Sequence, residues 1–420
     1  MACSDTKDVI SNLPTDVIEI ILGRLPIQEA VKTSILSRKW LLNWSTLAQF
    51  VFDRQFFDFL NSRNSECKSA RVLNEVLLIH NGPILKFVLS IPDIRSQKKD
   101  DISQWIGLLS RKGVKELTVE NLVALHRRPT HHFSCLQLTH LKLCSCKFYM
   151  PVIFSSGFQS LETLVIESST FIDEFNIDSP SLKHFSLGGE LYYIRIANAP
   201  NLRTLSMSFS STLGGFPDFW SSNMIEVLGR LPKLEKLYLG DSLCEYLAMR
   251  VPIWRLPAAF GCLKDITLAD VDICNLRDEV PSLLCIIRSS PYLQNLEISV
   301  YHSDIILAVE PELSLWEEDC MLFYLQTVKL ISMLGLRAEM KLIEFLLACS
   351  PSLKKMSIER KEVPAAYTAA LSGYKLIKRL VMFDRASPHA EITYSDPSQP
   401  MFSSYTEIYP MPFRKFYTSL

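Results

Sequence analysis

The sequence predicts an α/β chain: a short helical segment at the N-terminus, then an irregular repeat that builds a parallel sheet. Three observations carry this. A six-residue pattern (apolar, two residues, apolar, one residue, apolar) recurs eleven times in order between Ile84 and Ile358. Several copies follow an amphipathic stretch that ends at Pro or Gly. The N-terminal segment breaks the repeat, is dense in apolar residues and holds two Leu-Pro pairs.

The copies read "ILKFVL" from Ile84, "VKELTV" from Val114, "LTHLKL" from Leu138, "LETLVI" from Leu161, "LKHFSL" from Leu182 and "LRTLSM" from Leu202. They continue with "LEKLYL" from Leu234, "LKDITL" from Leu263, "LQNLEI" from Leu293, "LQTVKL" from Leu325 and "LKKMSI" from Leu353. Their average spacing of about 27 residues is the period of a leucine-rich repeat. The last two apolar positions alternate with polar ones, so each copy is a short strand with one buried face. In "MIEVLGRLPKLEKLYL", "LLCIIRSSPYLQNLEI" and "LIEFLLACSPSLKKMSI" a helix precedes the strand. Proline ends it by disfavouring the helical conformation of the residue before. Such a helix returns the chain for the next parallel strand, and stacked units bury a core that no single unit could. Between Leu138 and Leu202 the units are shorter, and returns such as "IESSTFIDEFNIDSP" read as loops and short strands.

The N-terminal segment reads as three short helices. The first covers Asp16 to Leu22, with Val17, Ile18, Ile21 and Leu22 on one stripe and Gly23 as its stop. Pro26 opens a second, running through Gln28 to Ser34, and Ser37 caps a third, "RKWLLNWSTLA". About 35 residues bury too little to be stable alone, so their apolar surface needs a partner.

This stretch, "LPTDVIEIILGRLPIQEAVKTSILSRKW", resembles the F-box family, with Leu13-Pro14, Leu25-Pro26, Ala30, Leu36-Ser37 and Trp40 at family spacing over Ile10 to Asp53. The resemblance implies docking on a Skp-type adaptor, and through it on a cullin-based ubiquitin ligase. The residues it assigns to the adaptor are Leu13, Pro14, Ile18, Leu25, Pro26, Val31, Leu36 and Trp40. A purely structural role would have Val17, Ile21, Val31 and Trp44 hold the helices together. A second stretch, "LQTVKLISMLGLRAEMKLIEFLLACSPSLKKMSIER" followed by "LVMFDRASPHAEITY", looks like the FBD region of plant F-box proteins. The expected organisation is an F-box at 8–53, leucine-rich repeats at 70–310, an FBD region at 311–395 that continues the repeats, and a tail at 396–420.

Composition narrows the partners. Lys plus Arg number 44 and Asp plus Glu 45, a formal charge of −1, so nothing electrostatic favours nucleic acid or an anionic membrane. Residues 1–12 lack the apolar core of a signal peptide, and no run is long enough to span a bilayer. Eleven cysteines without a framework read as reduced thiols, which fits the cytoplasm or nucleus.

Motifs that look catalytic are weak. His126, His131, His132, Cys135, His140, Cys144 and Cys146 gather zinc-ligand types without zinc-ligand spacing, and no metal or cofactor is expected. Cys144 and Cys146 follow a strand, where they would satisfy turn backbone. Asp100-Asp101 and Glu317-Glu318-Asp319 read as charge at helix N-termini. The Gly pairs starting at Gly188 and Gly214 lack the Lys-Ser/Thr of a phosphate loop, and no Gly-x-Ser-x-Gly is present.

Residues between the apolar strand positions point to one face, among them Lys86, Glu116, His140, Lys142, His184, Lys329 and Lys355. The candidate substrate face is Lys236, Tyr238, Asp265, Asn295 and Glu297, with Tyr238 as the outward aromatic anchor. Eleven strands would make a concave sheet about 50 Å long. The reading is a non-enzymatic substrate receptor of a ubiquitin ligase that binds a protein substrate. The alternatives are a receptor gated by a small molecule and a non-degradative scaffold.

Overall fold

The computed structural model describes residues 13–38, 40–41, 43–61, 68–90, 100–121, 123–124, 137–149, 151–154, 158–209, 227–241, 260–271, 279–302, 320–361 and 373–395, with the single positions 10 and 273. The chain divides into two compact units, Met1–Leu182 with Gly189–Ala199, and Lys183–Gly188 with Pro200–Leu420.

The first unit opens with helices α1 (Thr15–Leu22) and α2 (Ile27–Lys32), each preceded by an extended proline, Pro14 and Pro26. Proline's fixed φ suits the entry to a helix, and its missing N–H is one that no helical partner would satisfy. Two single turns of tight helix follow, Thr33–Ile35 and Asn43–Thr46. Among the described residues, the expected third helix over 38–48 is reduced to the single turn Asn43–Thr46. Ser37 does not cap it; its hydroxyl is buried without a hydrogen-bond partner. The segment is instead fixed by Trp40, whose indole Nε1 donates to the Ile10 carbonyl at 3.1 Å, and by Trp44, 7% exposed. Two large aromatic rings pulled inward from one short stretch compete with a regular helix, and burial wins.

A strand not expected from the sequence comes next, β1 (Gln49–Phe52), followed by α3 (Arg54–Asn61), α4 (Lys68–Ile79), β2 (Lys86–Ser90), α5 (Asp100–Lys112) and β3 (Glu116–Glu120). Trp105 of α5 is 1% exposed and donates to Asn74 of α4 at 2.7 Å, so one buried polar atom fixes the two helices against each other. Asp100 and Asp101 open α5, as the charge argument expects.

Beyond β3 the returns become strands. They are β4 (Val123–Ala124), β5 (His140–Cys144), β6 (Lys147–Phe148), β7 (Val152–Phe154) and the long β8 (Thr163–Asp178). β5, β6 and β7 lie parallel to successive thirds of β8. The "IESSTFIDEF" stretch is thus continuous extended chain where other repeats carry a helix. A run of phenylalanines fills it: Phe148 stacks on Phe171 at 4.8 Å, Phe171 meets Phe175 at 4.9 Å, and Phe154 meets Phe158 at 4.9 Å. The register runs Gln49, Lys86, Glu116, His140, Thr163 across parallel neighbours. β9 (His184–Asn198) contributes Gly189 onward to this unit.

In the second unit β10 (Thr204–Phe209), β11 (Lys236–Asp241), β12 (Asp265–Val271), β13 (Asn295–Val300), β14 (Thr327–Met333), β15 (Lys355–Arg360) and β16 (Glu391–Ser395) pair in parallel, in sequence order. Helices α6 (Glu279–Arg288), α7 (Arg337–Cys349) and α8 (Gly373–Met382) lie in the returns before β13, β15 and β16. Pro281 is tolerated because it lies in the first turn of α6.

The repeat pattern maps directly onto this architecture. In all eleven copies the strand starts at the third residue, and every apolar position of the pattern is at most 4% exposed. Burying a side chain of this size stabilises by about 1.5–3 kcal/mol, so the repeated positions are the core.

Candidate functional site

The N-terminal helices sort their apolar residues into two sets. Ile18, Leu22, Ile27, Ala30 and Trp40 are at most 5% exposed and pack inward. Ile10, Ile20, Ile21, Leu25, Val31, Ile35, Leu36 and Leu41 are between 36% and 88% exposed, with Ile35 the most open. Helical spacing explains the split. Ile18 and Leu22 are four apart and Ile27 and Ala30 three apart, so each pair shares a face, and the residues beside them point elsewhere. The outer set is thus apolar surface on a short segment.

Of the eight residues assigned to an adaptor, Leu25, Val31 and Leu36 are exposed apolar side chains, Pro14 and Pro26 are exposed, and Leu13 is partly exposed. Ile18 and Trp40 are placed differently: both are interior, at 0% and 3% exposure, and Trp40 is spent on the Ile10 carbonyl. They support the surface from behind and do not form it. Val31 and Ile21, read as structural packing residues in the alternative, are at the surface, whereas Trp44 is inside. The exposed Ile20, Ile35 and Leu41 lie within the same stretch but are not among the eight residues assigned to an adaptor. Their signal was in the sequence as apolar residues off the buried stripe.

The second unit carries an ordered polar ladder on its sheet face. Strand register aligns Thr204, Lys236, Asp265, Asn295, Thr327, Lys355 and Glu391. Lys236 Nζ lies 3.9 Å from Asp265, and Asn295 Nδ2 donates to the other Asp265 oxygen at 2.6 Å. Thr327 in turn donates to Asn295. One row along, Lys329 bridges Glu297 at 3.8 Å and Glu359 at 3.3 Å. Four of the five candidate recognition residues, Lys236, Asp265, Asn295 and Glu297, therefore sit on one exposed face and are already paired with neighbours.

Tyr238 departs from the expectation. It is 6% exposed. A Cβ at Gly240 would lie 2.8 Å from the Tyr238 hydroxyl, so the ring lies down over the glycine two residues ahead on its own strand. Alternation put its side chain on the correct face, but the bare backbone at Gly240 leaves a hollow that the ring fills.

The first unit has a comparable row. Lys86 pairs with Glu116 at 3.2 Å, and Lys142 with Glu167 at 2.9 Å. Cys144 donates to Glu167 at 3.5 Å, and burial, partly offset by Lys142 and reinforced by Glu167, pushes its thiol up to about 12. Cys146 donates to the carbonyls of Val119 and Cys144, so it satisfies backbone as expected. His126, His131, His132 and Cys135 lie outside the described residues, as do Glu317-Glu318-Asp319 and Gly214. No cluster of three metal-ligand types occurs among the described residues.

One buried polar node escaped the sequence reading. Glu339, in the first turn of α7, is fully buried. Its Oε2 accepts the backbone N–H of Leu334, Gly335 and Leu336 at 3.0, 2.6 and 2.9 Å, and its Oε1 lies 2.7 Å from His302 Nε2.

A helical segment with an apolar outer face, followed by parallel strand repeats, is consistent with an F-box adaptor-type protein on a leucine-rich repeat frame, and comparison with known proteins places the chain there. The F-box domain family matches residues 10–46, and the FBD family matches residues 319–358, from just before β14 to the core of β15. Along nearly its full length the chain is 33% identical to an F-box/FBD/LRR-repeat protein of Arabidopsis thaliana, covering 93% of this chain and 99% of that protein. An FBD-associated F-box protein of the same plant is 24% identical, over 92% of this chain and 100% of its own length. Among solved structures, the leucine-rich repeat-containing protein LegL7 of Legionella pneumophila is similar at 15% identity, covering 80% of this chain and 90% of its own, with a TM-score of 0.32. The chain belongs to the F-box/FBD/LRR-repeat proteins of plants.

Proposed function

We propose that this protein is the substrate-recognition subunit of an SCF-type ubiquitin ligase. Its F-box binds a Skp-type adaptor, which links it to a cullin, and its repeats bind a protein substrate. The observation that carries this reading is the exposed apolar set at residues 10–41 beside a separate buried set. Apolar surface with no structural task is what a stable interface consumes. Leu25, Val31, Ile35 and Leu36 are the members of this set that we assign to the adaptor contact, with Ile18 and Trp40 buried in the same segment.

The chain's own contribution to ubiquitin transfer is then proximity, with the chemistry supplied by other subunits. The polar ladder around Lys236, Asp265, Asn295 and Glu297 is the substrate face. Because these groups are paired laterally, a substrate must offer hydrogen bonds that compete with neighbours already in place. That favours specificity over raw affinity. The place of action is the cytoplasm or nucleus, where adaptor and cullin would be met.

The test is capture of a purified plant Skp-type adaptor by the full chain, beside a variant carrying Ile35→Asp and Leu36→Asp. Both positions are exposed, so the variant keeps its fold. Loss of capture supports the reading; undiminished capture contradicts it.

A further inference from the structure

The second unit exposes an aromatic patch where its strands begin. Tyr292 and Tyr324 stand at the same offset ahead of β13 and β14, and their rings lie 5.3 Å apart. Met321 and Phe323 belong to the same turn as Tyr324, and all four side chains are between 47% and 60% exposed. The repeat does not ask for rings here. The position just before the first core leucine of a copy holds Lys233, Cys262 and Ser352 in neighbouring repeats, so a large side chain at that point has no packing task. A second row runs alongside the tyrosines. The backbone N–H of Gln294 donates to Lys264, that of Gln326 to Gln294 and that of Lys354 to Gln326, each at 2.8 Å. Lys264 and Lys354 therefore stand one strand beyond the tyrosine pair on either side. Lys354 Nζ donates to the neutral Gln326 amide oxygen at 2.9 Å, and Lys264 makes no ion pair among the described residues. The flanking carboxylates are taken up elsewhere: Asp265 by Lys236 and Asn295, Glu235 by Arg203. The patch is apolar in the middle and positive at both ends.

We propose that this patch binds an extended acidic segment of a partner protein, in which two carboxylates flank a large apolar or aromatic side chain. Exposed Tyr, Phe and Met in one cluster are the residue types that interface cores use. Charge complementarity selects the occupant, because two uncompensated lysines at the ends call for two acids. A two-fold pairing of the patch with itself would instead set it against a surface of the same sign. The spacing defines the motif. Strands about 4.8 Å apart put the two lysines about 14 Å apart, which is spanned by about four residues of extended chain. The partner sequence is thus an acidic pair about four residues apart with the apolar anchor between them. This surface lies outside the polar ladder of the sheet face, and it stands whether or not the F-box docks on an adaptor.

The test is selection of random peptides of about twelve residues, displayed as a library, on the full chain, with a variant carrying Tyr292→Ser and Tyr324→Ser as the counter-selection. Enriched peptides should carry the spaced acidic pair around an apolar residue. A synthetic peptide of that consensus should bind the tyrosine variant at least tenfold more weakly than the native chain, read by fluorescence anisotropy. A second variant, Lys264→Glu with Lys354→Glu, keeps the tyrosines and should lose the same peptide; it decides alone if the tyrosine variant does not fold. No enrichment over the counter-selection, a consensus without acidic residues, or equal binding by the folded variants would overturn the proposal. So would sedimentation showing a dimer of the native chain that the tyrosine variant cannot form, or binding of an oligothymidylate that the same variant loses.

Discussion

His80 is 1% exposed, with Nε2 against the Leu47 carbonyl at 2.9 Å, its ring edge-on to Phe50, and Lys112 donating to its own carbonyl at 2.6 Å. Burial holds its pKa below the ordinary 6.5; the Leu47 bond opposes this and the Lys112 charge adds to it. Below pH 6.5 the unfolded chain therefore takes up a proton that the folded chain refuses, and stability falls as pH drops from 6.5 through the folded-state value. The midpoint of urea unfolding should decline over that window, and His80→Gln, which keeps a donor for Leu47, should flatten the decline. Cys144 makes a second residue-level case. Its thiol, raised to about 12, is almost wholly protonated at pH 8, so iodoacetamide should label the exposed Cys262 well before it. Peptide mass mapping over time reads the order directly. Sequence alone places both residues but not their surroundings. It likewise put Tyr238 on the right face of β11 and could not show that Gly240 would let the ring fold flat.

At the scale of elements, what can be read from the sequence follows the physics of each element. Strand starts were legible because three apolar positions per copy recur at fixed offsets, and each is buried. The same pattern stands at "LAQFVF", Leu47 to Phe52, and marks β1, which was absorbed into the helical segment. β16 was harder to see, because His389 replaces the first apolar residue of its copy. The third N-terminal helix failed because its amphipathic pattern matched a helix, whereas Trp40 and Trp44 bury as anchors of turns. α7 shows what tertiary context adds. Glu339 looks like an ordinary first-turn acid, yet it holds three backbone N–H groups and His302 in a fully buried site. Glu339→Ala would strand those donors and should cost about 3–5 kcal/mol, read as a fall in the urea midpoint. Gly189 is comparably strict: its φ is +136°, and a Cβ there would overlap the Ser169 carbonyl. Gly189→Ala should destabilise by more than about 2 kcal/mol in the same measurement.

For the whole molecule, the proposed adaptor docking rests on a division of labour that no single residue shows. The inner set Ile18, Leu22, Ile27, Ala30 and Trp40 gives the F-box its shape, and the outer set Leu25, Val31, Ile35 and Leu36 gives it a surface. The family pattern made the segment recognisable but did not separate the two roles, since both use the same residue types. That separation is testable as a contrast. Trp40→Ala should lower thermal stability, because it removes a buried ring and its bond to Ile10, and should weaken adaptor binding only through lost structure. Ile35→Asp with Leu36→Asp should do the opposite. The decisive measurement is an adaptor-binding isotherm for the full chain and that double variant, with a melting curve for each. Expected is a loss of affinity of about 100-fold or more in the double variant, in line with two truncated interface anchors, with the melting temperature unchanged. Equal affinity of the two folded proteins for the adaptor, or no binding by the native chain, would contradict adaptor docking through this face.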